Sequence, residues 1–154
     1  MKINDKIHKW IKVGVFLIYI SILVYFLFFA DMLGRTSGAT NYRYNLTPFK
    51  EIRRFIVYSG YLGVSSVCTN LLGNVAAFVP FGIFLPILTN NRLKFYQVTV
   101  YTFSLTLMIE MIQLISRVGI FDVDDMILNT LGGIIGYLMF FVWKSIKERK
   151  ERKS

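Results

Sequence analysis

Residues 98–116 read VTVYTFSLTLMIEMIQLIS and residues 117–136 read RVGIFDVDDMILNTLGGIIG; together they decide the fold. Val98 to Ser116 carries one charge, Glu110, in 19 residues, enough helix to cross a hydrocarbon core of about 30 Å. The run from Met126 to Trp143 is uncharged. Backbone in lipid must satisfy its own hydrogen bonds, so each run is expected to be a helix. The connection between them, Arg117 to Asp122, is so short that the two helices must be antiparallel neighbours.

Two further runs extend the pattern. Val13 to Ala30 is apolar apart from Tyr19, Ser21 and Tyr25, and Leu71 to Leu88 holds Asn74, Pro80 and Pro86 but no charge. The expected architecture is all-α, one domain: an integral membrane four-helix bundle with spans at about 13–30, 71–88, 98–116 and 126–143. Val13 to Ala30 is longer than a signal-peptide core, and Phe28 stands where a small residue would precede cleavage, so the helix is read as retained. Before it, Ile3, Ile7, Trp10 and Ile11 recur at helical spacing between lysines, as in an interfacial lead-in.

The composition agrees. Of 154 residues 55% are hydrophobic and 18 are Lys or Arg against 9 Asp or Glu, a net charge of +9. That excludes disorder, which requires low hydrophobicity. The basic tail 144–154 (KSIKERKERKS) is read as an anchor against anionic lipid, with no nucleic-acid partner. One cysteine, Cys68, excludes an internal disulfide, and the single histidine, His8, leaves no histidine-based metal site. Twelve basic residues fall on the side of the two termini and six on the other, so the positive-inside rule puts both termini in the cytoplasm.

The first loop, Asp31 to Asn70, is too long for a structureless connection. Its early part, with Gly34, Ser37, Gly38 and Asn41, reads as turn. Phe55 to Val67 is apolar and aromatic but broken by Ser59, Gly60 and Gly63, and reads as an additional short helix or re-entrant segment at the outer surface.

The third span holds a polar stripe. Thr99, Thr102, Thr106, Glu110, Gln113 and Arg117 share an arc of about 80° at 100° per residue. Only a bundle interior or a wet cavity tolerates such a face, and an intramembrane carboxylate needs a partner or a proton. In the fourth span, Asp122, Asp125, Asn129, Gly132, Gly133 and Gly136 share a face, with Asp124 expected to point away. Gly132 and Gly136 form a GxxxG pair that allows close helix approach, expected to bring Asp125 and Asn129 toward the stripe. Asn70 and Asn74 share a face at the start of the second span, and Arg43 could add a cation near the mouth. The candidate polar site is therefore Asn74, Glu110, Gln113, Arg117, Asp122, Asp125 and Asn129, with Arg43 and Asn70 secondary and Gly132 and Gly136 in packing. Each residue also has a structural reading: a clamp between helices for the stripe, helix caps for Asp122 and Asp124. A divalent cation between Asp122, Asp125 and Glu110 is a further alternative, but the ligand set is incomplete, and no metal or cofactor is assigned.

Three blocks stand in order: Asn45-Leu46-x-Pro48-Phe49; Asn70-x-x-Gly73-Asn74-x-x-x-Phe78-x-Pro80-x-Gly82; and Glu110-x-x-Gln113-x-x-x-Arg117-x-x-x-x-Asp122-x-x-Asp125-x-x-x-Asn129-x-x-Gly132-x-x-x-Gly136. Over about Tyr42 to Phe141 the chain resembles the VanZ-like family of bacterial membrane proteins. The resemblance implies a multi-pass protein of the bacterial cell membrane and a link to low-level resistance to teicoplanin, a lipoglycopeptide that binds peptidoglycan precursors outside the cell. It implies no settled reaction. Three functions stay open: binding of a lipid-linked envelope molecule, a peptidoglycan precursor or a lipoglycopeptide at an outer polar cavity; an enzyme acting on an envelope lipid with Glu110 or Asp125 as acid/base; or a structural subunit. Membrane lipids are the common partner of all three.

Overall fold

All four apolar runs form helices long and apolar enough to cross a membrane. The computed structural model describes residues 3–30, 42–63 and 67–152. The first helix, α1 (Ile3–Tyr25), ends in a π-helical turn, Phe26–Ala30. The lysine-rich lead-in is thus continuous with the first span. A second π-helical turn, Cys68–Leu72, opens the second span, which continues as Gly73–Leu88. The third span is Phe95–Ser116 and the fourth Val123–Glu151. The last helix outruns its apolar core because KSIKERKE is rich in helix formers and pairs Lys144 with Glu148 (3.8 Å) and Lys147 with Glu151 (3.9 Å) one turn apart.

The first loop contains two short helices, Lys50–Val57 and Ser59–Leu62. In chain order the helices are therefore α1, α2 (Lys50–Val57), α3 (Ser59–Leu62), α4 (Gly73–Leu88), α5 (Phe95–Ser116) and α6 (Val123–Glu151). Helix begins at Lys50, ahead of the apolar stretch from Phe55 that announced it, and breaks at Tyr58. The turn expected around Gly34, Ser37, Gly38 and Asn41 lies outside the described residues. Ahead of α2, Tyr44–Asn45 (β1) pairs in parallel with Phe121–Asp122 (β2), Tyr44 opposite Phe121 and Asn45 opposite Asp122. This two-residue bridge ties the first loop to the α5–α6 turn.

Glycine sets the helix packing. A methyl group at Gly132 would overlap the carbonyl of Val75, one at Gly136 the carbonyl of Val79, and one at Gly82 the carbonyl of Gly133. The GxxxG pair therefore lies against α4, and the stripe on α5 is met by the residue between them: a methyl at Gly133 would strike Thr102. The helix that the pair admits is thus α4, while the same face of α6 brings Asn129 to Thr106 of the stripe. Gly133 is rotated about 100° from Gly132, so the glycine face is wide enough to seat α6 between both neighbours. Four stripe residues, Thr102, Thr106, Glu110 and Gln113, are buried in that seam. The first span packs at the side, where Leu23 joins Phe78 and Ile109 in a small apolar core. Its opposite face leaves Val15, Leu17 and Ile18 exposed, a surface suited to lipid.

Overpacking of this kind costs about 1–3 kcal/mol. Gly132→Ala and Gly136→Ala are expected to lower the melting temperature of the detergent-purified protein, whereas Gly14→Ala, with nothing within 4 Å of the added carbon, should leave it unchanged.

Candidate functional site

The start of α6 is a knot of hydrogen bonds. Asp122 is its N-cap: Oδ1 accepts from the Asp124 amide (2.9 Å) and from Asn45 Nδ2 (3.0 Å). The Asp122 amide in turn donates to Glu110 Oε2 (2.9 Å), so the buried carboxylate of α5 is partnered by the turn that follows. Asn45 Oδ1 accepts from the Thr47 amide, and the Phe121 amide donates to the Arg43 carbonyl (3.1 Å).

Asp124 does not point away from the structure. It is buried, and it accepts from three backbone amides at the start of α2: Phe49 on Oδ1, Glu51 (2.7 Å) and Ile52 (3.1 Å) on Oδ2. Seen from the bundle it does face outward, but that side is covered by the first loop. The carboxylate sits where a helix N-terminus leaves its donors unmatched, and holds Phe49 in a left-handed conformation (φ 63°) that a bulky residue rarely adopts. Sequence reasoning missed Asp124 because the partner is remote in the chain. The available signal was Pro48 followed by a charged, helix-forming KEIRR.

Arg117 also departs from expectation. Helix α5 ends at Ser116, and Arg117 takes a left-handed conformation (φ 57°) as its C-cap. Its guanidinium lies 4.7 Å from the centre of the Tyr42 ring and its Nη2 3.4 Å from the Tyr42 hydroxyl, exposed and off the stripe. The helical projection fails one residue past the helix end.

The remaining candidates surround two chambers. The inner one, about 400 Å³, lies among α1, α4, α5 and α6 and is lined by Asn70, Asn74, Glu110, Gln113, Asp125 and Asn129, with Tyr19, Leu23, Phe26 and Leu27 as its apolar wall. Pro80, which has no amide hydrogen for the Ala76 carbonyl, lines it together with Ala76. The outer chamber, about 680 Å³, is lined by Arg43, Asn45, Lys50, Glu51, Arg54 and Asp122, under the first loop. Asn70 and Asp125 line both chambers and so stand between them.

Within the inner chamber most polar groups are tied. Asn74 Nδ2 donates to Asp125 Oδ1, Gln113 Nε2 to the Leu27 carbonyl (2.9 Å), and Asn129 Nδ2 to Thr106 Oγ1 (2.8 Å). Asn129 Oδ1 differs: on a side chain only 1% exposed, it has no hydrogen-bond partner among the described residues. In the outer chamber Arg54 is paired with Glu51 at 2.7 Å. A cation between Asp122, Asp125 and Glu110 is not what this geometry gives. Asp122 and Glu110 are turned to amide donors, and among the described residues no three acids, histidines or cysteines gather as a ligand set.

A family model described as VanZ/LLP1 matches residues 16–144. The chain belongs to the VanZ/LLP1 family. The match takes in both chambers and the apolar part of α1, so the first span belongs to the family unit although the resemblance read from the sequence began near Tyr42. Protein VanZ of Enterococcus faecium is 30% identical over 96 residues, 62% of this chain and 51% of that protein. The chain thus spans about half the length of that relative. No solved structure matches.

The knot gives two contrasting substitutions. Burial pushes the Asp122 carboxyl above its ordinary value of 3.8; the amide of Asp124 and the side chain of Asn45 pull it down, and the charges of Asp124 and Glu51 add to the rise. The folded protein therefore holds that proton more tightly than the unfolded chain, and ionising Asp122 removes stability as pH rises from about 3.8 through the higher folded value. Asp122→Asn keeps Oδ1 as an acceptor and is expected to flatten this part of the melting-temperature profile without weakening the protein at pH 7. Asp124→Asn puts an amide donor against backbone donors. It should cost about 1–3 kcal/mol and expose the first loop to proteolysis at neutral pH.

Proposed function

We propose that this VanZ/LLP1 protein is a binding protein of the bacterial cell envelope. Its ligand is an amphipathic molecule, a lipid-linked envelope precursor or a lipoglycopeptide, and binding it contributes to resistance to glycopeptides such as teicoplanin. The observation that carries the reading is Asn129, whose side chain is among those lining a 400 Å³ cavity and whose buried amide oxygen has no hydrogen-bond partner among the described residues. Such an atom costs about 1–3 kcal/mol unless something donates to it, and a ligand hydroxyl or amide would do so. The cavity size suits a small ligand or the leading part of a larger one. Its apolar wall from α1 fits a hydrocarbon chain. Beyond Asn70 and Asp125, which line both chambers, the outer chamber has a charged rim that fits a polar head. The basic residues at the two termini support a cytoplasmic position for both, which turns the chambers toward the outer leaflet, where such ligands are met.

Loss of the gene is expected to lower the teicoplanin concentration that stops growth. Asn129→Leu, which removes the orphan oxygen, should fail to restore resistance while the protein remains in the membrane at the normal amount. Asp125→Asn, retaining an acceptor for Asn74, serves as the milder second variant. Unchanged susceptibility of the deletion strain refutes the resistance role. Loss of the protein itself in both variants favours a structural clamp over a ligand site.

A further inference from the structure

The end of the bundle away from the chambers carries a second cavity that the proposed function does not use. A groove of about 1070 Å³ runs between the start of α1 and the α4–α5 turn, lined by His8, Lys9, Lys12 and Arg92 over a floor that includes Ile87 and Leu88. The floor residues are half-buried and the three permanent cations exposed. No aspartate or glutamate lines the groove, and none of Lys9, Lys12 and Arg92 is ion-paired among the described residues. The turn that presents Arg92 is well defined: Asn90 and Asn91 are both left-handed (φ 52° and 62°), and the Asn91 amide donates to the Pro86 carbonyl at 2.7 Å. Asparagine tolerates that conformation better than other non-glycine residues.

The neighbouring groove makes the contrast. It shares Lys12, Ile87 and Asn90 and adds Asn91 and the α6 extension, where Lys144 and Lys147 stand beside Glu148 and Glu151. Its cations are largely neutralised by their own helix. The α1 groove combines cations that make no ion pair among the described residues with an apolar floor, and Trp10, 72% exposed on the same turn of α1, is the residue type that settles at head-group depth. Phosphate attached to hydrocarbon satisfies all three features, whereas free phosphate would leave the floor unused.

We propose that this groove binds the headgroup of an anionic phospholipid, with Lys9, Lys12 and Arg92 around the phosphate and Ile87 and Leu88 beneath the first methylenes of its chains. The site is independent of the chambers and of the ligand proposed for them. Basic pockets between membrane helices hold anionic headgroups through this combination of charge and apolar contact. Binding there would hold the start of α1 against the α4–α5 turn, which otherwise meet across an open groove.

Native mass spectrometry of the full chain in detergent, titrated separately with phosphatidylglycerol and phosphatidylcholine, tests the assignment. Phosphatidylglycerol is expected to be retained at concentrations at least about tenfold lower. A near-surface cation is worth roughly a fivefold change in affinity, so Lys9→Gln/Lys12→Gln/Arg92→Gln should erase most of that preference. Lys144→Gln/Lys147→Gln should keep it. The single variant Lys12→Gln provides the same comparison if the triple variant does not fold, with an expected loss of about fivefold. Equal retention of the two lipids overturns the proposal. So does a preference that survives the groove variants, one that falls equally with the α6 variants, or displacement of the lipid by inorganic phosphate at matching concentration.

Discussion

The hydrogen bond from the Asp122 amide to Glu110 is the constraint on which the loop end of the bundle depends. A carboxylate inside a membrane helix is stable only with donors close by, and α5 cannot supply them from its own backbone. The turn after α5 brings one back. Once the turn is pinned there, Asp122 is placed to accept from Asn45, β1 is aligned on β2, and Asp124 meets the amides that open α2. A buried carboxyl group in one span thus fixes the position of a helix that begins at Lys50, 60 residues earlier in the chain.

The glycine face of α6 sets the other half of the arrangement. Where glycines face α4 and α5 the helices touch backbone to backbone or nearly so, and no space remains. One turn toward the loop end the same helix carries Asn129 and then Asp125, and the gap between helices widens. The inner chamber lies in that widening, with α1 closing its side. Small residues at one level and amide or carboxylate side chains at the next therefore produce a seal and a cavity along one seam.

The polar residues of the seam divide by what they do. Gln113, Asn74 and Thr106 are committed to protein partners, and Glu110 and Asp122 hold the turn. Arg117, cationic and close in sequence to the acids, is spent on the Tyr42 ring. Among the described residues the buried side-chain atom left without a partner is the amide oxygen of Asn129.

The sequence by itself determined the spans, because hydrocarbon forces each apolar run into a helix whatever its neighbours, and their lengths follow from composition alone. It also determined that Thr102, Thr106, Glu110 and Gln113 face inward and that Asp122 begins the fourth helix, since both follow from local periodicity and capping. Only the tertiary structure decided the partners. Helical projection gives a direction within one helix and ends where the helix ends, so it misplaced Arg117. It cannot see a segment folding back over an outward face, so it misread Asp124. A glycine pair permits close approach to any helix, and which one arrives depends on the packing of all four. The unpartnered oxygen of Asn129 is likewise a remainder, visible only once the partners of its neighbours are placed in space.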